Sequence, residues 1–223
     1  MTVVAVVAHP DDEVLGVGAT LARHAAAGEA VHIVICATGL AARGGATSPQ
    51  IAALENQARR AAAALGALPP RFLGLRDNAM DERPLLEVIQ ALQPHLDEIS
   101  PTTVYTHHAS DLNIDHGIVA RAVLTACRPL PGSRIESICA FETPSSTEWA
   151  TGAGFHPFQP NRFVDVAAQM PAKIRALECY ADEMRAFPHP RSIDAIRSLA
   201  AWRGASAGLA AAEAFVVLRE ITR

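Results

Sequence analysis

Residues 3–8 form an unbroken apolar run, Val3-Val4-Ala5-Val6-Val7-Ala8, which ends abruptly on His9-Pro10-Asp11-Asp12-Glu13. A run of β-branched and small residues predicts a strand buried on both faces, with the ionisable residues at its C-terminal end, where open α/β sheets place ligands. Val14, Leu15, Val17, Leu21 and Ala25 then recur on overlapping helical faces, predicting a helix over residues 14–27 that stops at Gly28. Residues 31–37 read as a second strand, completing a βαβ unit whose crossover is right-handed in nearly all parallel sheets. The same event repeats: helix 51–66, strand 71–75 after Pro69-Pro70, helix 84–99, strand 102–106 after Pro101 and helix 117–127. Strands at 133–141 and 162–166 follow, then a mostly helical stretch from 169 to 208 broken at Pro171 and at Pro188-His189-Pro190, and a last strand at 215–221. Polar loops leave strand ends at 9–13, 38–45, 76–81 and 107–116, so an α/β protein with a mostly parallel sheet and its site at the strands' C-terminal ends is expected.

Composition narrows the function classes. The 223 residues are 50% hydrophobic and 19% charged, with a net charge of -4 and 19 Lys plus Arg in no cluster. No footprint for nucleic acid or an anionic membrane follows from that balance. No repeat, low-complexity tract or linker divides residues 1–223, so one domain is expected. Cys36, Cys127, Cys139 and Cys179 form no C-x-x-C pair and read as buried thiols in a reducing compartment. The first apolar run is broken at Asp11, too soon for a signal-peptide core or a membrane span, so a cytoplasmic protein is expected. The apolar composition permits a homo-oligomer.

A metal hydrolase needs three protein ligands, an open position and a base near the attacking water. His9, Asp12 and His116 offer two imidazoles and a carboxylate, with Asp11 left over beside them. An isolated H-x-x-D is most often a solvated turn with an Asp cap for the next helix. Here it follows a buried strand directly, and a second His/Asp-rich loop, 107–116, follows another strand. Adjacent parallel strands would bring the two loops to one sheet edge. Gly16-x-Gly18 lacks the third glycine of a dinucleotide fingerprint, since Leu21 stands there, and is better explained by close helix packing.

Ala8-His9-Pro10-Asp11-Asp12-Glu13, with Asp111-x-Asn113-x-Asp115-His116, resembles the LmbE-like (PIG-L) deacetylase family. The likeness extends through the Gly-containing loop after strand two to Arg203-Gly204 and Ala212-Glu213-Ala214-Phe215, covering essentially the whole chain. It implies a Rossmann-like three-layer sandwich and a zinc-dependent N-deacetylase acting on an N-acylated amino sugar. It also implies that His9, Asp12 and His116 bind Zn²⁺, or another divalent ion such as Fe²⁺, and that Asp11 is the general base that takes a proton from the attacking water.

One residue departs from the family pattern. Many members carry a histidine three residues before the last ligand, taken to stabilise the oxyanion, where this chain has Asn113. An asparagine amide donates a hydrogen bond but carries no charge. Either His107 or His108 takes over that role, or the metal and Asn113 do the work alone; His108 is assigned to the catalytic group and His107 to the substrate contacts. Asp115 is a candidate carboxylate partner for a site imidazole. Arg43 is a candidate contact for a substrate carboxylate or phosphate, and Asp77 with Asn78 for hydroxyl groups. Ser145, Ser146, Glu148 and Trp149, and His189 with Tyr180, are placed to overhang the site. Two readings from other classes stay open: a two-histidine, one-carboxylate Fe(II) oxygenase site, and a non-catalytic metal-binding protein on the same fold.

Overall fold

The computed structural model describes residues 1–38 and 47–222. Seven strands form one sheet in the order β3-β2-β1-β4-β5-β7-β6: β1 is Thr2–Val7, β2 Ala30–Ala37, β3 Arg71–Leu75, β4 Thr103–His107, β5 Ser137–Phe141, β6 Arg162–Asp165 and β7 Ala212–Glu220. β3, β2, β1, β4 and β5 pair in parallel; β7 runs antiparallel to β5, and β6 antiparallel to β7. The chain reverses direction across the sheet at the β1–β4 junction, so the ends of these two neighbours open a crevice.

The alternation within β1 assigns the two outer layers. Val3, Ala5 and Val7 face a core shared with three helices, α1 (Asp12–Ala26), α2 (Ser48–Leu65) and α5 (Met170–Glu178). Val4, Val6 and Ala8 face a second core under α3 (Leu85–Ile99) and α4 (Ile114–Ala126). A sixth helix, α6 (Ile193–Ala205), buries Ile196 and Ala200 in the first core. The result is a three-layer sandwich, as expected. Among the described residues, no helix is long and apolar enough to cross a membrane. Cys36, Cys127, Cys139 and Cys179 are free thiols, the first three buried.

Several boundaries move, each for a local reason. α2 begins at Ser48, not 51, because Thr47 and Gln50 form a capping box and a proline sits in the first turn. Pro171 likewise occupies the first turn of α5 and starts that helix instead of breaking it. The break in the late helical stretch is wider than expected, with no helix from 179 to 192. β5 begins at Ser137, four residues late. α4 begins at Ile114, not 117, because Asn113 caps it: its side chain accepts the Asp115 N–H at 2.9 Å. Asp115 and His116 therefore sit in the first turn of a helix.

One contact ties the end of the chain to its beginning. The Glu213 carboxylate, from β7, accepts the N–H groups of Ala19 and Thr20 in the middle of α1, at 3.0 and 2.7 Å. Lys173 of α5 donates to the same carboxylate at 2.6 Å and to the Leu15 carbonyl at 2.8 Å. Both side chains are buried, so this is a hydrogen-bonded ion pair clamped onto the helix that carries Asp12.

Candidate active site

The site forms where β1 and β4 end and α1 and α4 begin. Asp11 takes φ 102°, a conformation L-residues rarely adopt, at the turn from β1 into α1. That turn brings the Asp12 carboxylate back under the strand end, where its Oδ2 accepts the His9 N–H at 2.9 Å. Around Asp12 Oδ2 lie His9 Nδ1 at 3.3 Å, His116 Nε2 at 3.3 Å and His107 Nε2 at 3.4 Å. The donor atoms offered by His9, Asp12 and His116 all fall within 4.8 Å of one another.

Each outer imidazole is oriented by carboxylates behind it. His9 Nε2 lies 3.0 Å from Asp77 Oδ1 and 3.1 Å from Asp115 Oδ2, while His116 Nδ1 lies 3.1 Å from Asp111 Oδ1. Asp115 is fixed in turn by the N–H groups of Asn78 and Met80, at 2.7 and 3.1 Å. Asp111 accepts the hydroxyls of Ser146 and Thr147 and the Asn113 N–H. Carboxylate-backed imidazoles with a free inner nitrogen are the usual second layer of a metal site.

The ligand chemistry fits a divalent cation. Asp12 Oδ1 is buried with no hydrogen-bond partner, an orphaned acceptor on the carboxylate that the imidazoles surround. Burial acts to lower the His116 pKa, but Asp12 and Asp111 more than reverse this and raise it to about 9. His9 is raised well above the ordinary histidine value, since Asp115, Asp12 and Asp77 together outweigh burial. Burial opposes ionisation of Asp12, yet His116 and His107 hold it well below the usual carboxylate range. The carboxylates therefore draw positive charge into the site, as protons when nothing else is present and as a metal ion when one is. A second group, His9, Asp77 and Asp115, is also close enough to hold an ion. Asp115 already accepts two backbone N–H groups there, so we assign that group to orienting His9.

Asp11 lies beside the cluster, 3% exposed, with Oδ2 accepting from Arg191 Nη1 at 2.6 Å. Burial raises its pKa to about 7, with Arg191 acting in the opposite sense. Behind it, Glu13 accepts the Tyr180 hydroxyl at 2.6 Å, and burial raises Glu13 to about 8.

Other expected residues fall in different places. His107 is 0% exposed: Nε2 accepts the Ala8 N–H at 2.9 Å, Nδ1 lies 3.2 Å from Thr143 Oγ1, and the ring stacks on His116 with centroids 3.9 Å apart. Burial pushes its pKa down to about 3. It therefore supports the site from beneath and cannot meet substrate, contrary to expectation. Asn113 caps α4 through Oδ1, and one of its two Nδ2 N–H groups donates to Asn78 Oδ1 at 3.0 Å. Asn78 donates to Asp77 at 2.8 Å; Asp77 is 5% exposed and turned against His9, so it does not present itself to sugar hydroxyls, whereas Asn78 is exposed. His108 is 9% exposed and packs edge-on against Phe158, centroids 5.5 Å apart. Tyr180 is fully buried on Glu13 and overhangs nothing, whereas His189 meets the exposed Trp149 edge-on at 6.0 Å. Arg43 lies outside the described residues.

Sequence reasoning passed over Arg191 and the anchoring role of Asp111. Asp111 had a signal, since D-x-N ahead of a helix is a capping pattern. Arg191, a single arginine in a proline-rich break, had none.

The model of the family described as "PIG-L: GlcNAc-PI de-N-acetylase" matches residues 4–127, more than half of the chain and the segment that supplies His9, Asp11, Asp12 and His116. The chain belongs to the PIG-L family. It is 33% identical over 149 residues to the uncharacterized deacetylase YaiS of Escherichia coli K12, covering 65% of this chain and 75% of that one. It is 27% identical over 238 aligned positions to 1D-myo-inositol 2-acetamido-2-deoxy-alpha-D-glucopyranoside deacetylase of Mycolicibacterium smegmatis, covering 83% and 81% respectively. The crystal structure of 4-carboxy-2-hydroxymuconate hydratase from Pseudomonas putida KT2440 superposes with a TM-score of 0.79 at 24% identity, over 100% of this chain and 98% of that one. This last likeness speaks to the fold alone.

Proposed function

We propose that this PIG-L protein is a zinc-dependent N-deacetylase that hydrolyses the acetamide of an N-acetylated amino sugar or a sugar-containing small molecule. The observation that carries the reading is the convergence of His9, Asp12 and His116, whose donor atoms lie within 4.8 Å of one another, on a carboxylate whose second oxygen is buried without a partner, with the Asp11 carboxylate next in the chain. His9 Nδ1, Asp12 and His116 Nε2 would hold the ion. Bound there, a divalent ion would polarise the amide carbonyl and make the attacking water more acidic. Asp77 and Asp115, beside Nε2, favour the His9 proton there, so that Nδ1 faces inward, and the Asp111 charge 3.1 Å from His116 Nδ1 favours a proton on that nitrogen, although the contact lacks hydrogen-bond geometry. Asp11 takes the proton of the attacking water and returns it to the departing amine, a transfer suited to a carboxyl whose burial brings it toward neutral pH. His108, whose Nδ1 is buried without a hydrogen-bond partner, is the histidine of this loop that we assign to the oxyanion, since His107 is enclosed; Asn113 uses its oxygen and one of its two N–H groups on the α4 cap and Asn78.

The mycobacterial relative, named as a deacetylase of an acetamido-glucopyranosyl inositol, motivates the substrate class. The test is acetate release from N-acetylglucosamine and from N-acetylglucosaminyl-inositol by zinc-loaded and metal-stripped protein, with metal content measured. Release that is lost on chelation, restored by Zn²⁺ and abolished in Asp11→Asn is the expected result. Equal turnover by a rigorously metal-free preparation would refute the reading, as would full activity in Asp11→Asn.

A further inference from the structure

The backbone of Asp11 is held at both of its polar ends. Its N–H donates to Glu13 Oε2 at 3.1 Å, and its carbonyl accepts the N–H groups of Val14 and Leu15 at 3.0 and 2.9 Å. With φ fixed at 102° by that turn, only the side-chain torsions decide where the carboxylate points. Arg191 contacts that carboxylate, 180 residues along the chain, through Nη1 to Oδ2 at 2.6 Å. Arg191 is itself anchored: Nε donates to Ser145 Oγ at 2.8 Å, and its backbone N–H donates to His189 Nδ1 at 3.1 Å. Its Nη1 also lies 3.9 Å from Glu183 Oε2, so one guanidinium is set among the negative side chains that crowd this edge of the site.

An exposed ion pair would mean little. This one differs because Asp11 is 3% exposed and because the planar guanidinium reaches it in a direction fixed by a second anchor. We infer that Arg191 is a positioning residue for the general base: by holding Asp11 Oδ2, it leaves Oδ1 as the oxygen turned toward the water. Arg191 thus joins the loop between α5 and α6 to the reaction without touching the reacting atoms. The inference rests on the assignment of Asp11 as base in the proposed function.

The test uses the zinc-loaded full-length protein and acetate release from N-acetylglucosamine, comparing Arg191→Ala, Arg191→Lys, Asp11→Asn and the Asp11→Asn/Arg191→Ala double variant. Arg191→Ala should lower kcat by about 10- to 100-fold, the scale of a misplaced catalytic group, with KM within about twofold. Added guanidinium ion should restore part of the loss, and Arg191→Lys, which keeps the charge but not the fork, should fall between. In the Asp11→Asn background the Ala substitution should cost nothing more. A crystal structure of zinc-loaded Arg191→Ala gives a readout that needs no substrate: the Asp11 carboxylate should leave its present rotamer. Wild-type kcat in Arg191→Ala, a loss confined to KM, or an unmoved Asp11 would overturn the inference while leaving the base assignment intact. Full activity in Asp11→Asn would instead remove the base assignment on which it stands.

Discussion

The two carboxylates behind the imidazoles should respond differently to the same isosteric change, because their donors are distributed differently over the two oxygens. Asp115 receives two backbone N–H groups, from Asn78 at 2.7 Å on Oδ2 and Met80 at 3.1 Å on Oδ1, as well as His9 Nε2 at 3.1 Å. In Asp115→Asn, either amide orientation turns an NH₂ toward a backbone N–H that cannot reverse. A buried donor left facing a donor costs about 1–3 kcal/mol, which for a chain of this size corresponds to a melting point lowered by roughly 2–12 °C. Asp111 instead receives the Asn113 N–H and the Ser146 hydroxyl on Oδ1 and only the Thr147 hydroxyl on Oδ2, so an amide can keep its oxygen on the backbone donor and turn its NH₂ toward a hydroxyl that can rotate to accept. Asp111→Asn should therefore melt above Asp115→Asn in the metal-free state, losing only the charge that Asp111 sets against His116. Both variants lose a negative charge behind a metal-binding imidazole and should bind zinc about 10- to 100-fold more weakly. Differential scanning calorimetry of the metal-free proteins, paired with competition against a chromophoric chelator, separates the two effects. If Asp115→Asn melts with wild type, or if neither variant weakens zinc, the reasoning about anchored imidazoles is wrong.

Zinc affinity of the wild type should rise with pH: His116, held near 9 when no ion is bound, must lose its proton to bind one, so affinity strengthens as pH climbs toward about 9, as proton release in titration calorimetry would show. Gly16→Ala should destabilise the fold by about 1–3 kcal/mol, since a Cβ there would lie 2.1 Å from the Phe141 ring and force α1 away from β5; chemical denaturation measures this. Lys173→Met should cost about 3–5 kcal/mol, because it leaves the buried Glu213 carboxylate without its cation; a Lys173→Met/Glu213→Gln double variant that recovers most of the loss would confirm the cause.

The parts of this molecule visible in its sequence are those encoded by local patterns. The Val3–Ala8 run, the strand-then-polar-loop repeat and the H-x-x-D turn all report contacts made within a few residues, and the sheet and the metal-site candidates follow from them. Asn113 shows the limit. The family resemblance sets it where an oxyanion-stabilising histidine stands, three residues before His116, whereas the structure uses its side chain to cap α4. His107 shows a second limit: the last residue of a strand and the first of a loop look alike in a sequence, and here one residue of register encloses the ring completely. Arg191, Glu213 and Lys173 act only through contacts more than a hundred residues away or between separate layers, and no local spacing announces them.

The Glu213 clamp on α1 has a consequence for how this protein can be divided. The segment that matches the family model, residues 4–127, holds every proposed metal ligand and the proposed base, and would be the obvious minimal fragment to express. Yet the helix that presents Asp12 is braced by a strand and a lysine from the final third of the chain, and Asp11 is held by an arginine from the same third. A truncated protein would keep the recognisable chemistry and lose its alignment. Selection on the late residues is thus selection on the early site, and variation there can tune or silence the reaction while every signature residue remains in place.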